Sequence, residues 1–236
     1  MRDAAESLFA LPEVEALLSV ELGIAATHAA RQPAGRALLL QPDAAASSLP
    51  SDLAHLCAVR LHASAHALAG DAVCSASALP IENEAFQLVF AQHVGDVLPG
   101  ENGIVAEIAR VLAPGGLLLW SGFNPWSPWL AWIHWRTRGG GAVPQAQNAD
   151  TLRRRLIRSH LAPLALDYLG TCWPRRGAPH AAATRLAQLL APWRGAYLFA
   201  ARKQRAVLTP LRPRVTRKAV ALNPRLAGTP SHRASA

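Results

Sequence analysis

The chain has 236 residues, 51% of them hydrophobic, with 24 Lys and Arg against 15 Asp and Glu. That length suits one domain plus an appendage, and no apolar run is long enough to span a bilayer. The charge excess is confined to the end: residues 202–236 hold nine basic residues and no acid, whereas residues 1–201 balance fifteen against fifteen. The sequence therefore predicts an ordered part up to residue 203 and a disordered basic tail over residues 204–236. That tail has four prolines and too few large apolar groups to offset the entropy of ordering.

In chain order, residues 3–22 read as helical, with Leu8, Leu11, Val14, Leu17 and Leu18 on one face and Pro12 opening a new helix. This makes residues 1–30 an N-terminal helical segment ahead of an α/β domain over residues 31–203. Ala37–Leu40 is a short buried strand, and Ser51–Leu56 a helix with Ser51 near its cap. Ala58–His62 and Ala72–Ser75 are two weak strands. Phe86–Ala91 is a stronger one.

A helix follows, with Ile104, Val105, Ile108, Val111 and Leu112 on one face. Ala113-Pro114-Gly115-Gly116 stops it, because proline cannot continue a helix and glycine accepts the left-handed cap. Leu117–Phe123 is the next strand. Strand, helix and strand at this spacing form a βαβ unit with parallel strands. The five strands then read as an α/β alternation around an open, mostly parallel sheet.

Beyond Phe123, Ser127-Pro128 opens a short helix that gathers Trp129, Trp132 and Trp135 on one side. Packing of that helix onto the sheet is the favoured reading, ahead of a substrate lid, a partner surface or a membrane-interface face flanked by Arg136 and Arg138. Asp150 is placed to cap a helix over Thr151–Ser159, whose arginines read as a solvated face. Leu164–Thr171 is a strand, Thr184–Leu190 a helix and Gly195–Ala201 a last strand.

Cys57, Cys74 and Cys172 are scattered, with neither a disulfide framework nor metal-ligand spacing, which points to a reducing cytoplasm and no metal. The N-terminus, with Asp3 and Glu6, lacks an export-signal pattern.

The order LPI, FQLVF, AQHV and EIARVLAPGG, followed by a strand and FNPWS, resembles the second half of a class I S-adenosylmethionine-dependent methyltransferase of the type 11 group. The FNPWS turn is similar to that of a bacterial subgroup. The resemblance is closest over residues 72–127. It implies a Rossmann-like fold with helices on both faces of a seven-stranded sheet that ends in a strand hairpin. It also implies that S-adenosyl-L-methionine is the cofactor and that methyl transfer to an unidentified, small-molecule or other acceptor is the reaction.

By position in that family, Leu40, Gln41, Asp43, His62, Ser75, Ala76 and Gln92 would face the cofactor. Asn124, Trp126 and Ser127 would face the acceptor. His93, in the family's HV motif, is the one candidate for a base.

The sequence departs from the family at the cofactor. No glycine lies between Arg36 and Pro50, no Asp or Glu lies between Leu53 and Gly70, and Ser75 and Gln87 stand where the family has Asp. The cofactor motif is degenerate, so the alternative is a non-catalytic relative kept as a binding or interaction module. The basic tail adds an expectation of weak, salt-sensitive contact with nucleic acid or anionic lipid.

Overall fold

The computed structural model describes residues 7–44, 55–64, 67–98, 102–138, 143–175 and 190–204, all within one unit, residues 1–206. A 3₁₀ turn at Leu8–Ala10 leads into α1 (Pro12–Ala29). Next come β1 (Gly35–Gln41), β2 (Leu56–Ser64), β3 (Ala67–Gly70) and β4 (Phe86–Gln92). A single turn, α2 (Val94–Val97), precedes α3 (Asn102–Val111) and β5 (Leu112–Phe123). The chain continues through α4 (Pro128–Thr137), α5 (Ala149–Arg158), β6 (Leu161–Leu169) and β7 (Ala196–Lys203).

The seven strands form one sheet in the order β3-β2-β1-β4-β5-β7-β6. Its centre, β2-β1-β4-β5, is parallel. The outer pairs β2–β3, β5–β7 and β6–β7 are antiparallel. This is the Rossmann-like methyltransferase fold, with the closing hairpin that the resemblance implied.

Alternation along β1 sends side chains to both faces. Leu38 and Leu40 join Ile104, Val105, Ile108 and Val111 of α3 and Leu152 and Leu156 of α5 in one core. Ala37 and Leu39 join Leu22, Ala25 and Ala29 of α1 in the other. Burying a Leu side chain in such a core contributes roughly 1.5–3 kcal/mol.

The EIAR and LPI segments of the sequence turn out to be one device. Glu107 accepts from the Leu79 amide at 2.8 Å and from Arg110 Nε and Nη2 at 3.0 and 2.8 Å. Arg110 also donates to the carbonyls of Leu79 and Ile81. The hydrogen bonds from Arg110 hold the Glu107 carboxyl below its ordinary pKa. The pair therefore staples α3 to the segment that feeds β4.

Several sequence expectations need correction. The N-terminal helix runs to Ala29, because the apolar spacing of Leu18, Leu22, Ala25, Ala26 and Ala29 continues against the sheet. Ala72–Ser75 is not a strand: β3 lies earlier, at Ala67–Gly70, and turns straight back on β2. The α/β alternation fails there because the interval between His62 and Ala67 is too short for a crossover helix, so the hairpin is the only economical connection.

The helix before β5 ends at Val111, and the Ala113–Gly116 segment belongs to the strand, with Gly115 at φ +81°. Asn148, not Asp150, caps α5: its Oδ1 accepts from the Asp150 amide at 2.9 Å. The sixth strand begins at Leu161 rather than Leu164. The three tryptophans of α4 do not share one environment, since Trp129 is buried, Trp132 half-buried and Trp135 60% exposed. Residues 1–6, 51–54, 184–189 and 205–236, which carry parts of other expectations, lie outside the described residues.

Candidate functional site

In a parallel sheet, a ligand site forms beyond the carboxyl ends of the strands where strand order reverses. Here that point lies between β1 and β4. Leu40 stands opposite Ala91 in register, and Gln41 stands opposite His62. The topology thus brings Leu40, Gln41, His62 and Gln92 to one edge of the sheet. Asp43 follows the end of β1 and is half-buried. Ala76 is buried in the same core as Leu40 and Leu61, while Ser75 is exposed and its hydroxyl lies 2.9 Å from that of Ser77.

Gln92 and His93 end β4 in a cluster that sequence reasoning missed. Glu21, on α1, points into the protein and is fully buried. Its Oε2 accepts from Gln92 Nε2 at 3.1 Å and from Ser121 Oγ at 2.8 Å. Its Oε1 lies 3.0 Å from His93 Nε2. On the other side of the ring, His93 Nδ1 lies 2.8 Å from Asp96 Oδ2, which also accepts from the Phe123 amide at 2.8 Å. His93 itself sits in the left-handed region at φ 51°, a conformation uncommon for a residue with a Cβ.

Burial opposes charge on this imidazole. The Glu21 charge and the hydrogen bonds that the ring donates to both carboxylates outweigh it and push the His93 pKa up to about 10. His93 is therefore an imidazolium clamped between two carboxylates, with both N–H groups donated. Asp96 is pushed above the usual carboxylate range by burial, against the pull of His93. The expected base thus offers no lone pair in this arrangement. Gln92 spends its amide on Glu21 and on the Leu18 carbonyl, which leaves only its backbone for a ligand.

The acceptor-side candidates divide. Asn124 and Ser127 are buried and build the turn after β5. Asn124 Nδ2 donates to the carbonyls of Pro192 and Arg194 at 2.7 and 2.9 Å, and Ser127 Oγ donates to the Trp193 carbonyl at 3.0 Å. Ser127 also caps α4, as expected, by accepting from the Trp129 amide. Trp126, between them, is 72% exposed.

S-adenosylmethionine can be tested against this edge by its chemistry. Its ammonium needs an anionic or carbonyl acceptor, and Asp43 supplies a carboxylate at the end of β1. Its adenosine needs small neighbours, and Ala44, Ser75 and Ala76 provide them. The ribose has only His62 as a partner from β2, which makes one hydrogen bond where a carboxylate makes two. By donor chemistry alone, this edge offers an acceptor for the ammonium and one partner for the ribose, a weaker grip than a carboxylate gives. Among the described residues no cluster of His, Cys, Asp and Glu could hold a metal ion, and no helix is long and apolar enough to cross a membrane.

Residues 25–120 match the family model for a methyltransferase domain. No curated protein matches the chain. Among solved structures, a protein of Bacillus halodurans C-125 assigned as a methyltransferase aligns with a TM-score of 0.52 at 15% identity, covering 80% of this chain and 99% of that one. An S-adenosylmethionine-dependent methyltransferase from Thermotoga maritima aligns with a TM-score of 0.50 at 13% identity, covering 83% of this chain and 93% of that one. These two likenesses show the fold. The strand order and the family match over residues 25–120 make this part of the chain similar to the class I S-adenosylmethionine-dependent methyltransferases of the type 11 group, whose fold it shares.

Proposed function

We propose that the protein transfers a methyl group from S-adenosylmethionine to an acceptor at the carboxyl edge of the sheet. The observation that carries this reading is the register that sets Leu40 against Ala91 at the point of strand reversal, with Gln41 against His62 on the adjoining pair. When bound, the cofactor supplies an electrophilic sulfonium methyl for in-line displacement. Leu40 and Ala76 would wall the nucleoside, Asp43 and the Gln41 backbone would hold the amino-acid portion, His62 and Ser75 would take polar atoms of the adenosine, and the Gln92 backbone would complete the cofactor edge.

Rate in such a displacement comes mainly from proximity and alignment, so a free base is not obligatory. That suits a site whose one imidazole is locked in ion pairs. Trp126 walls the acceptor, and Asn124 and Ser127 act by holding its turn. The absence of an acid on β2 is offset by backbone and hydroxyl contacts at the cost of affinity. The free thiols suit a cytoplasmic location.

The test is calorimetry on the full chain with S-adenosylmethionine and S-adenosylhomocysteine at millimolar ligand. Binding below 1 mM, on the order expected when about 1.5–3 kcal/mol is lost with the ribose carboxylate, supports the reading. No heat and no thermal shift would overturn it and leave the non-catalytic interaction module.

A further inference from the structure

Past β5 on the same carboxyl edge of the sheet, several aromatic side chains are exposed. Trp126 is 72% exposed, Trp135 60%, Trp173 57% and Trp193 57%. Three of these come from separate loops stitched into one platform. The Asn124 amide donates to the Gly195 carbonyl, and the Gly195 amide to the Thr171 carbonyl. Asn124 and Ser127 hold the carbonyls of Pro192, Trp193 and Arg194, and Trp129 Nε1 donates to the Thr171 carbonyl at 2.8 Å. Trp126, Trp193 and Trp173 each lie within two residues of these ties. Trp129 also roots α4, the helix that carries Trp135, against the same loops.

The polar atoms of these loops are thus spent inward on the scaffold, while their largest apolar groups are left outside. An exposed aliphatic group accompanies them: Leu190, whose carbonyl accepts from the Trp193 amide, is 45% exposed. The loops and α4 carry charge of one sign, while the first turn of α1, which packs against Trp129, adds Glu13 and Glu15. Arg136, Arg138 and Arg175 are exposed, and neither residues 122–149 nor residues 168–204 contain an Asp or Glu.

We propose that this platform docks on an anionic lipid bilayer, with the tryptophans at the headgroup level and the arginines on lipid phosphates. Indole is amphipathic and partitions to that level, and basic residues near the surface add electrostatic attraction to anionic lipid. Leu190 favours a bilayer over a nucleic acid, since an aliphatic group gains from acyl chains and cannot stack on bases. An acidic protein surface would satisfy the arginines but would not by itself call for four exposed indoles. The inference does not depend on the methyl-transfer reading.

The experiment uses the full chain with large vesicles of phosphatidylglycerol and phosphatidylcholine, pure phosphatidylcholine vesicles, and a brominated phosphatidylglycerol version that quenches inserted indoles. The expected result is flotation with the anionic vesicles, a blue shift of tryptophan emission and quenching by the brominated lipid. The W126A/W173A/W193A variant should lose at least tenfold in partitioning and most of the quenching while keeping its circular dichroism. Should that variant fail to fold, W126A alone replaces it, with a loss of about threefold. Wild-type protein that stays off anionic vesicles overturns the proposal, whether or not it binds single-stranded DNA in a parallel arm. So does a folded variant that binds and is quenched like the wild type, because the basic residues beyond 204 would then carry the attachment.

Discussion

Glu21 and His93 meet at 3.0 Å across 72 residues of chain, and neither side chain is exposed. The contact fastens α1 to the end of β4, the strand whose carboxyl end the cofactor reading requires. Glu21 also takes hydrogen bonds from Gln92 and Ser121, so one carboxylate of α1 reads three positions on β4, β5 and the turn between β4 and α2. The N-terminal helix is thereby built into the site and does not merely precede it.

Removing Glu21 should therefore cost more than a surface charge would. The Glu21→Ala substitution leaves the imidazolium and two further donors facing a cavity. Breaking a buried ion pair from one side costs about 3–5 kcal/mol. Urea unfolding should show a loss of that order, and hydrogen exchange should show α1 opening first. A loss below about 1 kcal/mol would mean that the cluster is not held as described.

The same pair sets a pH dependence. The His93 pKa rises from an ordinary 6.5 in the unfolded chain to about 10 in the folded one. Its contribution is fully present below 6.5 and is lost as pH rises through about 10. Asp96, also raised by burial, acts in the same direction but at lower pH, from the ordinary carboxylate range upward. Wild-type protein should lose thermal stability steadily between pH 7 and 9, and H93Q should lack most of that slope. Parallel curves for the two proteins would refute the assignment.

How far this site is legible in the sequence depends on which residue is considered. The helix–strand segment around EIARVLAPGG reads directly in its order, because the apolar spacing of α3 acts locally, although the helix ends at Val111 and the Pro-Gly segment belongs to β5. The hairpin at β3 does not, because a strand at Ala72–Ser75 and one at Ala67–Gly70 have equally weak patterns, and only the short interval after β2 separates them. Glu21 is the instructive miss. It lies between Leu17, Leu18, Leu22 and Ala25 on the apolar face of α1, and a carboxylate on that face is a signal of a buried partner. His93 and Gln92 were placed correctly at the end of β4, but nothing local could show that their side chains are already spent.

Gly95 offers a steric test of the same corner. A Cβ there would come 2.5 Å from Cζ2 of Trp120, a buried ring that cannot swing aside. Overpacking of this kind costs about 1–3 kcal/mol. G95A should lower the urea midpoint accordingly and shift the near-ultraviolet tryptophan signal. An unchanged midpoint would mean that α2 can move away from β5.

Asp43 tests the cofactor edge separately from the fold, because it is half-buried at a strand end. A hydrogen bond to a charged group contributes about 1.5–3 kcal/mol. D43A should therefore weaken S-adenosylhomocysteine binding roughly ten- to hundredfold while leaving the melting curve in place. Equal affinity in D43A and wild type would remove Asp43 from the site.

Tyr197 supplies a prediction of the opposite sign. Its hydroxyl is buried and has no hydrogen-bond partner among the described residues. Burial, and then the nearby Asp96 charge, push its pKa well above the ordinary phenol value, so it stays protonated. Its ring packs edge-on to Phe199 at 6.1 Å, and that contact needs no hydroxyl. An unmade hydrogen bond in a buried place costs about 1–3 kcal/mol, whereas removing the polar atom and keeping the ring avoids that cost. Y197F should therefore be at least as stable as the wild type, and by up to about 1 kcal/mol more so, in urea unfolding. If Y197F instead loses 1 kcal/mol or more, the hydroxyl has a partner in solution, and Asp96, whose carboxylate faces the same Gly122 backbone, is the first group to examine.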